Sequence, residues 1–239
     1  MYTYRFDNEE NNTLVIETEP NVFHPTDTSA LLIDACRACI TSPKKVLDLG
    51  CGSGLIGIAL ARAGCSAGTL YASDISADAV ALAKRNAATA SINYDARCGS
   101  IFTPWTNERF DVIVDDVAGI ADDIARLSPW YPLGVDCNAG RDGTDWIINV
   151  IRESKRHLQS DGMFIFPLLS LSNEEKILDV LRDTYESYAM VMQKDWFLPD
   201  TIARDEKLIR SLMAERAIRC EEKFGKFIWT TAIYKAQRT

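Results

Sequence analysis

Residues 46–57 read VLDLGCGSGLIG, and four glycines, Gly50, Gly52, Gly54 and Gly57, crowd into eight positions. The apolar run VLDL before them has the character of a strand. LIGIALARAG after them has helical spacing and stops at Gly64. Glycines between a strand and a helix let the backbone bend sharply and let a ligand approach the main chain without meeting a Cβ. Gly52-Ser53-Gly54-Leu55-Ile56-Gly57 also satisfies the pattern G-x-G-x-x-G. An acid, Asp74, closes the next strand, TLYASD, 22 residues after Gly52. A carboxylate there accepts hydrogen bonds from ribose hydroxyls. Bend and acid together describe a nucleoside site.

Two features decide which nucleoside. Asp48 lies inside the first strand, two residues before Gly50, where it would repel a pyrophosphate and welcome an ammonium group. The bend also starts at Gly50, one step earlier than a dinucleotide pattern requires. A sulfonium nucleoside with an amino-acid tail meets both conditions. Its ammonium goes near Asp48, its carboxylate to backbone N–H groups, and its ribose to Asp74.

Outward from this bend, strands and helices alternate. Short strands fill residues 1–25 around the polar turn DNEENN. A helix runs from Thr28 to Ile40, capped by Thr28 or Ser29. After TLYASD come the helix ADAVALAKRNAATA, the short strand DARCGSI and the strand FDVIVDD. The helix GTDWIINVIRESKRHL and the strand GMFIFPLLS follow. The helix SNEEKILDVLRDTY, the strand SYAMVMQKDWFLP, a charged helix at 203–218 and the strand KFIWTTAIYKA complete the chain. Such alternation specifies a parallel α/β sheet covered on both faces, with ligands at the carboxyl ends of the strands. The last two strands break the rhythm and predict an antiparallel edge.

Composition narrows the class. The 239 residues are 47% apolar and 25% charged, as in an ordinary globular protein. A net charge of −8 without a local basic patch disfavours a nucleic-acid partner. The cysteines number seven, an odd count, and several lie in apolar runs. They read as reduced thiols of a cytoplasmic protein. Cys36 and Cys39 have zinc-knuckle spacing but no second pair, and only two histidines exist, so no metal is expected. The polar, acidic start is no signal peptide, and no apolar run approaches the roughly 20 residues of a membrane span. One domain is expected, with residues 1–41 as a strand-and-helix lead-in over the ligand site and 42–239 as the main body.

VLDLGCGSG followed by ASD resembles the first two motifs of class I S-adenosylmethionine-dependent methyltransferases, and in element order the likeness covers roughly residues 20–237. The resemblance implies a Rossmann-like, doubly wound, mostly parallel seven-stranded sheet with an antiparallel C-terminal edge strand. It implies S-adenosylmethionine as cofactor. Asp48, Gly50, Gly52 and Gly54 would then hold the methionine part, Asp74 the ribose, and Ile75 the adenine face. Ser100 stands where many relatives have an aspartate facing the adenine amino group, and the N–H of Ile101 serves the ring. Asp115 would neighbour the sulfonium. Thr28, in the lead-in PNVFHPTDTSALL, would border the cofactor.

FDVIVDDVAG, residues 110–119, aligns with the fourth motif of the family. In the release-factor glutamine and rRNA methyltransferase branch this motif ends in NPPY; here it ends in Asp116-Val117-Ala118-Gly119. The asparagine and aromatic that clamp a planar amide or base are both replaced. A carboxylate at Asp115 or Asp116 can bind an ammonium or take a proton; alternatively Asp116 caps the next helix. Trp130 and Tyr131, in SPWYPLGVDCNAG, are the expected acceptor wall, 195–199 a second lid, and His24 a candidate base. The leading expectation is methyl transfer to N or O of a small molecule. The alternatives are a protein glutamine or other side chain as acceptor, a nicotinamide oxidoreductase, and a non-catalytic S-adenosylmethionine-binding protein.

Overall fold

The computed structural model describes residues 1–6, 12–117, 119–131, 135 and 137–238. The turn DNEENN, apart from its last residue, and Ala118 fall outside them, as do 132–134 and 136 of the expected acceptor wall.

The chain opens with a two-stranded antiparallel ribbon, β1 (Tyr2–Arg5) and β2 (Thr13–Ile16). Helix α1 (Asp27–Cys39) follows. Its cap is Thr26, not Thr28 or Ser29: the Thr26 hydroxyl accepts from the amide of Thr28, and the Ser29 hydroxyl accepts from the amide of Thr26. The helix begins earlier than its apolar pattern suggests because Thr28 and Ser29 are buried in the first turn.

The alternating unit then runs β3 (Val46–Leu49), α2 (Leu55–Arg62), β4 (Leu70–Asp74), α3 (Ala77–Thr89), β5 (Tyr94–Cys98) and β6 (Phe110–Asp115). A six-residue helix, α4 (Asp122–Leu127), precedes α5 (Asp145–His157), β7 (Leu158–Leu169), α6 (Glu174–Thr184) and β8 (Ser187–Phe197). The expected charged helix divides into α7 (Asp200–Ala203) and α8 (Glu206–Ala214). A short strand, β9 (Glu221–Lys223), turns into β10 (Lys226–Gln237).

The sheet order is β5-β4-β3-β6-β7-β10-β8, with β9 paired to β10. The first five strands are parallel. β10 enters antiparallel between β7 and β8, which gives the α/β sheet its antiparallel C-terminal edge. Strand order reverses between β3 and β6, where Leu49 lies in register with Asp115. A reversal of this kind opens a crevice at the carboxyl ends of the strands.

β3 is buried at every position, as a central strand covered on both faces should be. One apolar core joins α1 and α2 to the sheet through Leu32, Ile33, Ile56 and Ile58. The other joins α5 and α6 through Ile147, Ile151, Ile177 and Leu181. A third cluster gathers α4, α7 and α8 around Trp229, roofing the crevice end of the sheet. Among the described residues no helix is long and apolar enough to cross a membrane.

Candidate functional site

The glycine bend folds as its composition requires. Gly50, Gly52 and Gly54 all have positive φ. At Gly50 a side chain is also excluded by space, since a Cβ there would lie 2.9 Å from Val117 Cγ1. Gly57 serves another purpose. It has ordinary helical backbone, and a Cβ would sit 2.8 Å from Asp48 Oδ2. Its bare amide instead donates to that oxygen at 2.9 Å, tying α2 to β3.

Asp48 is fully buried behind the bend, and its Oδ1 has no hydrogen-bond partner among the described residues. Burial pushes its carboxyl up to about 7; the Gly57 amide opposes this, and Asp116 and Asp74 add to it. Asp74 ends β4. Its Oδ2 accepts from the amide of Gly52 at 2.9 Å and its Oδ1 from the amide of Ser76 at 2.8 Å. The acid therefore braces the bend from the neighbouring strand, and each oxygen keeps a lone pair for a further donor. Its carboxyl too is raised, chiefly by burial.

A cavity of about 330 Å³ lies over the bend, within the size range of small-molecule sites. Gly50, Gly52, Asp74, Ile75, Ser100, Ile101, Thr28, Asp116, Trp130 and Tyr131 all line it. Ile75 is 64% exposed, an open apolar surface on the rim. Asp48 and Asp115 lie behind the wall rather than in it. Asp115 is buried, its Oδ1 also has no partner among the described residues, and burial with the neighbouring Asp116 holds its carboxyl well up. His24 is exposed, with Nε2 3.0 Å from the Glu19 carbonyl oxygen; its neighbours Phe23 and Pro25 reach the cavity and it does not.

Asp116 does not act as a helix cap. The next helix, α4, begins at Asp122 with no side-chain cap. The Asp116 carboxylate instead receives the Ser29 hydroxyl at 3.0 Å, a contact across 87 positions of chain. Burial raises it to about 6, and the Ser29 hydrogen bond works in the other direction. Tyr131 lines the same cavity, and its phenol is pushed upward, chiefly by burial, with Cys137 and Asp116 adding to it. An aromatic ring is thus present in the cavity that Asp116 lines, although Gly119 has replaced the motif's own.

Much of the rest of the wall is aromatic. Trp130, Trp146, Trp196 and Trp229 line the cavity, leaving only Trp105 of the chain's five tryptophans elsewhere. Trp130 packs on Trp229 with ring centroids 5.2 Å apart, and Phe23 on Tyr131 at 5.1 Å. The Trp196 indole donates to Thr231 Oγ1 at 3.1 Å, and Thr231 shares a hydrogen bond with Thr28. The stretch 195–199 contributes Trp196, Phe197 and Pro199. Ser29, Trp146 and Trp229 were not apparent as site residues in the sequence: the first lies inside a helix pattern, the second in a helix and the third in a strand that reads as core.

The chemistry of this cradle is cationic in preference. Asp27, Asp74 and Asp116 line it, Asp48 and Asp115 back it, and among the described residues no Lys, Arg or His lines it. A pyrophosphate would meet the carboxylates of Asp27, Asp74 and Asp116 with no cationic side chain to balance it among the described lining residues. A ligand carrying a sulfonium and an ammonium would meet its complement, and the raised carboxyls behind the bend show how strongly these acids need one.

Comparison with known proteins agrees with this geometry. Residues 13–116 match the methyltransferase small domain. The chain is 29% identical over 181 residues to release factor glutamine methyltransferase of Gloeobacter violaceus, covering 72% of this chain and 62% of that protein. It is 29% identical over 178 residues to ribosomal protein L11 methyltransferase of Lactobacillus johnsonii, covering 74% and 48%. The chain therefore spans about half to three fifths of the length of these curated relatives. The crystal structure of a ribosomal protein L11 methylase from Lactobacillus delbrueckii shares the fold, with a TM-score of 0.58 at 20% identity, over 98% of this chain and 92% of that one.

These relatives correct the partner expected from sequence, a small-molecule acceptor with no nucleic acid. They are named for acting on a release factor and a ribosomal protein. Net charge and the altered NPPY position speak to phosphate affinity and acceptor shape. Neither reports whether the acceptor group is carried on a macromolecule. Class I methyltransferases use S-adenosylmethionine, and the sequence match, the sheet order and the acid-backed glycine bend agree: the chain is similar to the class I S-adenosylmethionine-dependent methyltransferases, and its residues 13–116 match the methyltransferase small domain.

Proposed function

We propose that this protein transfers the methyl group of S-adenosylmethionine to a side chain or terminal group of a protein, in the cytoplasm. The single observation that carries the cofactor half is the cradle itself: a glycine bend backed by Asp48 and faced by Asp74, with no cationic side chain among the described residues that line it. In this reading Gly50, Gly52 and Gly54 leave room for the methionine part, and Asp48 and Asp115 balance its positive charge from behind. Asp74 takes the ribose hydroxyls, Ile75 packs on the adenine, and Ser100 and the Ile101 amide meet its edge. Thr28 and the 23–29 segment cover the cofactor, which supports reading residues 1–41 as a lead-in to the body at 42–239. When bound, the sulfonium supplies an already activated methyl group, so the chain's own task is alignment and charge.

The acceptor half rests on relatives named for protein substrates. It also rests on a cavity that aromatic rings from five separate segments help to wall, at Phe23, Trp130, Trp146, Trp196 and Trp229. The test is transfer of radiolabelled methyl groups from S-adenosylmethionine into cell extract, separated into protein and small-molecule fractions. Label in protein supports the proposal. Label confined to small molecules, or to RNA, contradicts it.

A further inference from the structure

We infer that the exposed ring of Phe224, at the tip of the β9–β10 hairpin, is an anchor that seats in an apolar pocket on the acceptor protein. This rests on the proposed protein methyltransferase activity and assigns a contact surface, outside the cavity, that holds the partner.

Three observations carry it. First, the tip is strained. Lys223 pairs with Lys226, so the turn between them is the dipeptide Phe224-Gly225. Both residues have positive φ, 55° and 70°. A turn of this kind favours Asn-Gly, and a bulky side chain at its first position is forced into the left-handed region. Second, the ring gains nothing from the fold in exchange. It is 99% exposed, the most open of the large apolar side chains among the described residues. A singly exposed apolar residue is ordinary; one that is also strained points to a use outside the fold. Third, the hairpin is aimed and held. β7 ends at Leu169, opposite Thr231, so the start of β10 and the hairpin project beyond the carboxyl ends of the parallel strands, the end where the cavity lies. The Lys226 ammonium is 5.1 Å from the ring centroid of Phe197, which lines the cavity. At the root, Arg210 of α8 pairs with Glu222 at 3.0 Å and lies 5.4 Å from the ring centroid of Phe227, itself buried in the third cluster. A fixed root presents the ring at little ordering cost.

Charge names the partner. Between 221 and 226 the acids Glu221 and Glu222 balance the bases Lys223 and Lys226. Lys223 pairs with Glu221 at 2.6 Å. A finger that stacks on unpaired nucleobases needs positive charge for the phosphates around them, and this hairpin is neutral. What it offers is an aromatic ring without net charge, the complement of an apolar pocket on a protein. Phe197, also exposed, joins this surface to the cavity wall. A partner gripped at Phe224 is thereby held beside the place where its side chain must enter.

The experiment measures initial rates of radiolabelled methyl transfer from S-adenosylmethionine into a dilution series of total protein extract from cells lacking the gene. The full chain is compared with Phe224→Asn and Phe224→Tyr. Asparagine suits the left-handed position, so Phe224→Asn keeps the hairpin and should unfold at the wild-type temperature or above. It is expected to lower the rate in dilute extract about tenfold or more, with the rate at saturation within about twofold and adenosylhomocysteine affinity unchanged. Phe224→Tyr keeps the ring and should stay within about threefold of wild type. Equal rates for wild type and Phe224→Asn at every dilution overturn the inference and leave the protein methyltransferase reading intact. A loss that persists undiminished at saturation marks a role in the fold and overturns it in the same way. So does a dimer, seen by sedimentation, that Phe224→Asn dissociates, since the ring then belongs to a second copy. Wild-type label confined to RNA or small molecules overturns the protein methyltransferase reading and the inference with it.

Discussion

The amide of Gly57 donates to Asp48 Oδ2 at 2.9 Å, while Asp48 Oδ1, also buried, has no partner among the described residues. One oxygen of this carboxylate fastens the helix to the central strand. The other stores an unmet electrostatic demand directly behind the glycine bend.

That demand has a measurable pH signature. The folded carboxyl of Asp48 is pushed up to about 7, above its ordinary value of 3.8. Between these values the folded state holds a proton that the unfolded chain has released. Ligand-free stability should therefore fall as pH rises from about 4 to about 7, and level off above. Asp48→Asn removes this contribution, so the variant should match the wild type near pH 4 and exceed it at pH 8. The ceiling is about 4 kcal/mol. Denaturant titrations of both proteins across this range check it; parallel curves would remove the assignment.

Asp74 braces Gly52 and Ser76 as well as facing the cavity. Asp74→Ala should weaken adenosylhomocysteine binding about 10-fold to 100-fold, from lost charged hydrogen bonds. Calorimetry reads this directly. Unchanged affinity would dismiss the ribose role.

Tyr131 offers a ring, not a hydroxyl, to the acceptor in the account given above. Tyr131→Phe should keep acceptor KM within a few-fold. Tyr131→Leu should raise it about tenfold, the value of one buried aromatic contact, with cofactor affinity unaltered. Steady-state kinetics on the labelled acceptor distinguishes these. An equal effect of both variants would point to the phenol instead.

Four of the five tryptophans line the cavity, and Trp105 is in the core. Adenosylhomocysteine should therefore change the intrinsic fluorescence on titration. Trp105→Phe should preserve that change, and Trp196→Phe should diminish it. A ligand that saturates by calorimetry while the emission stays still would place binding elsewhere.

Much of this was legible in the sequence for a physical reason: the parallel sheet and the bend are local codes. Strand–helix alternation, the glycines at 50, 52 and 54, and Asp74 closing its strand each depend on neighbouring residues. The long-range pairings were not legible. β10 threads between β7 and β8, a register choice that no single segment encodes. Ser29 reaches Asp116 across 87 positions, and Trp229 enters the cavity from the last strand. α4 is six residues long, too short for its periodicity to separate it from a loop. Overall charge said nothing of the acceptor, because a cavity walled by a few side chains sets its own local field.

The measurement that bears most directly on the whole account is a paired calorimetric titration of the purified protein with adenosylhomocysteine and with NAD. The acid-backed bend predicts saturable one-to-one binding of adenosylhomocysteine and no detectable heat from NAD. Binding of NAD with adenosylhomocysteine left free in solution would contradict it.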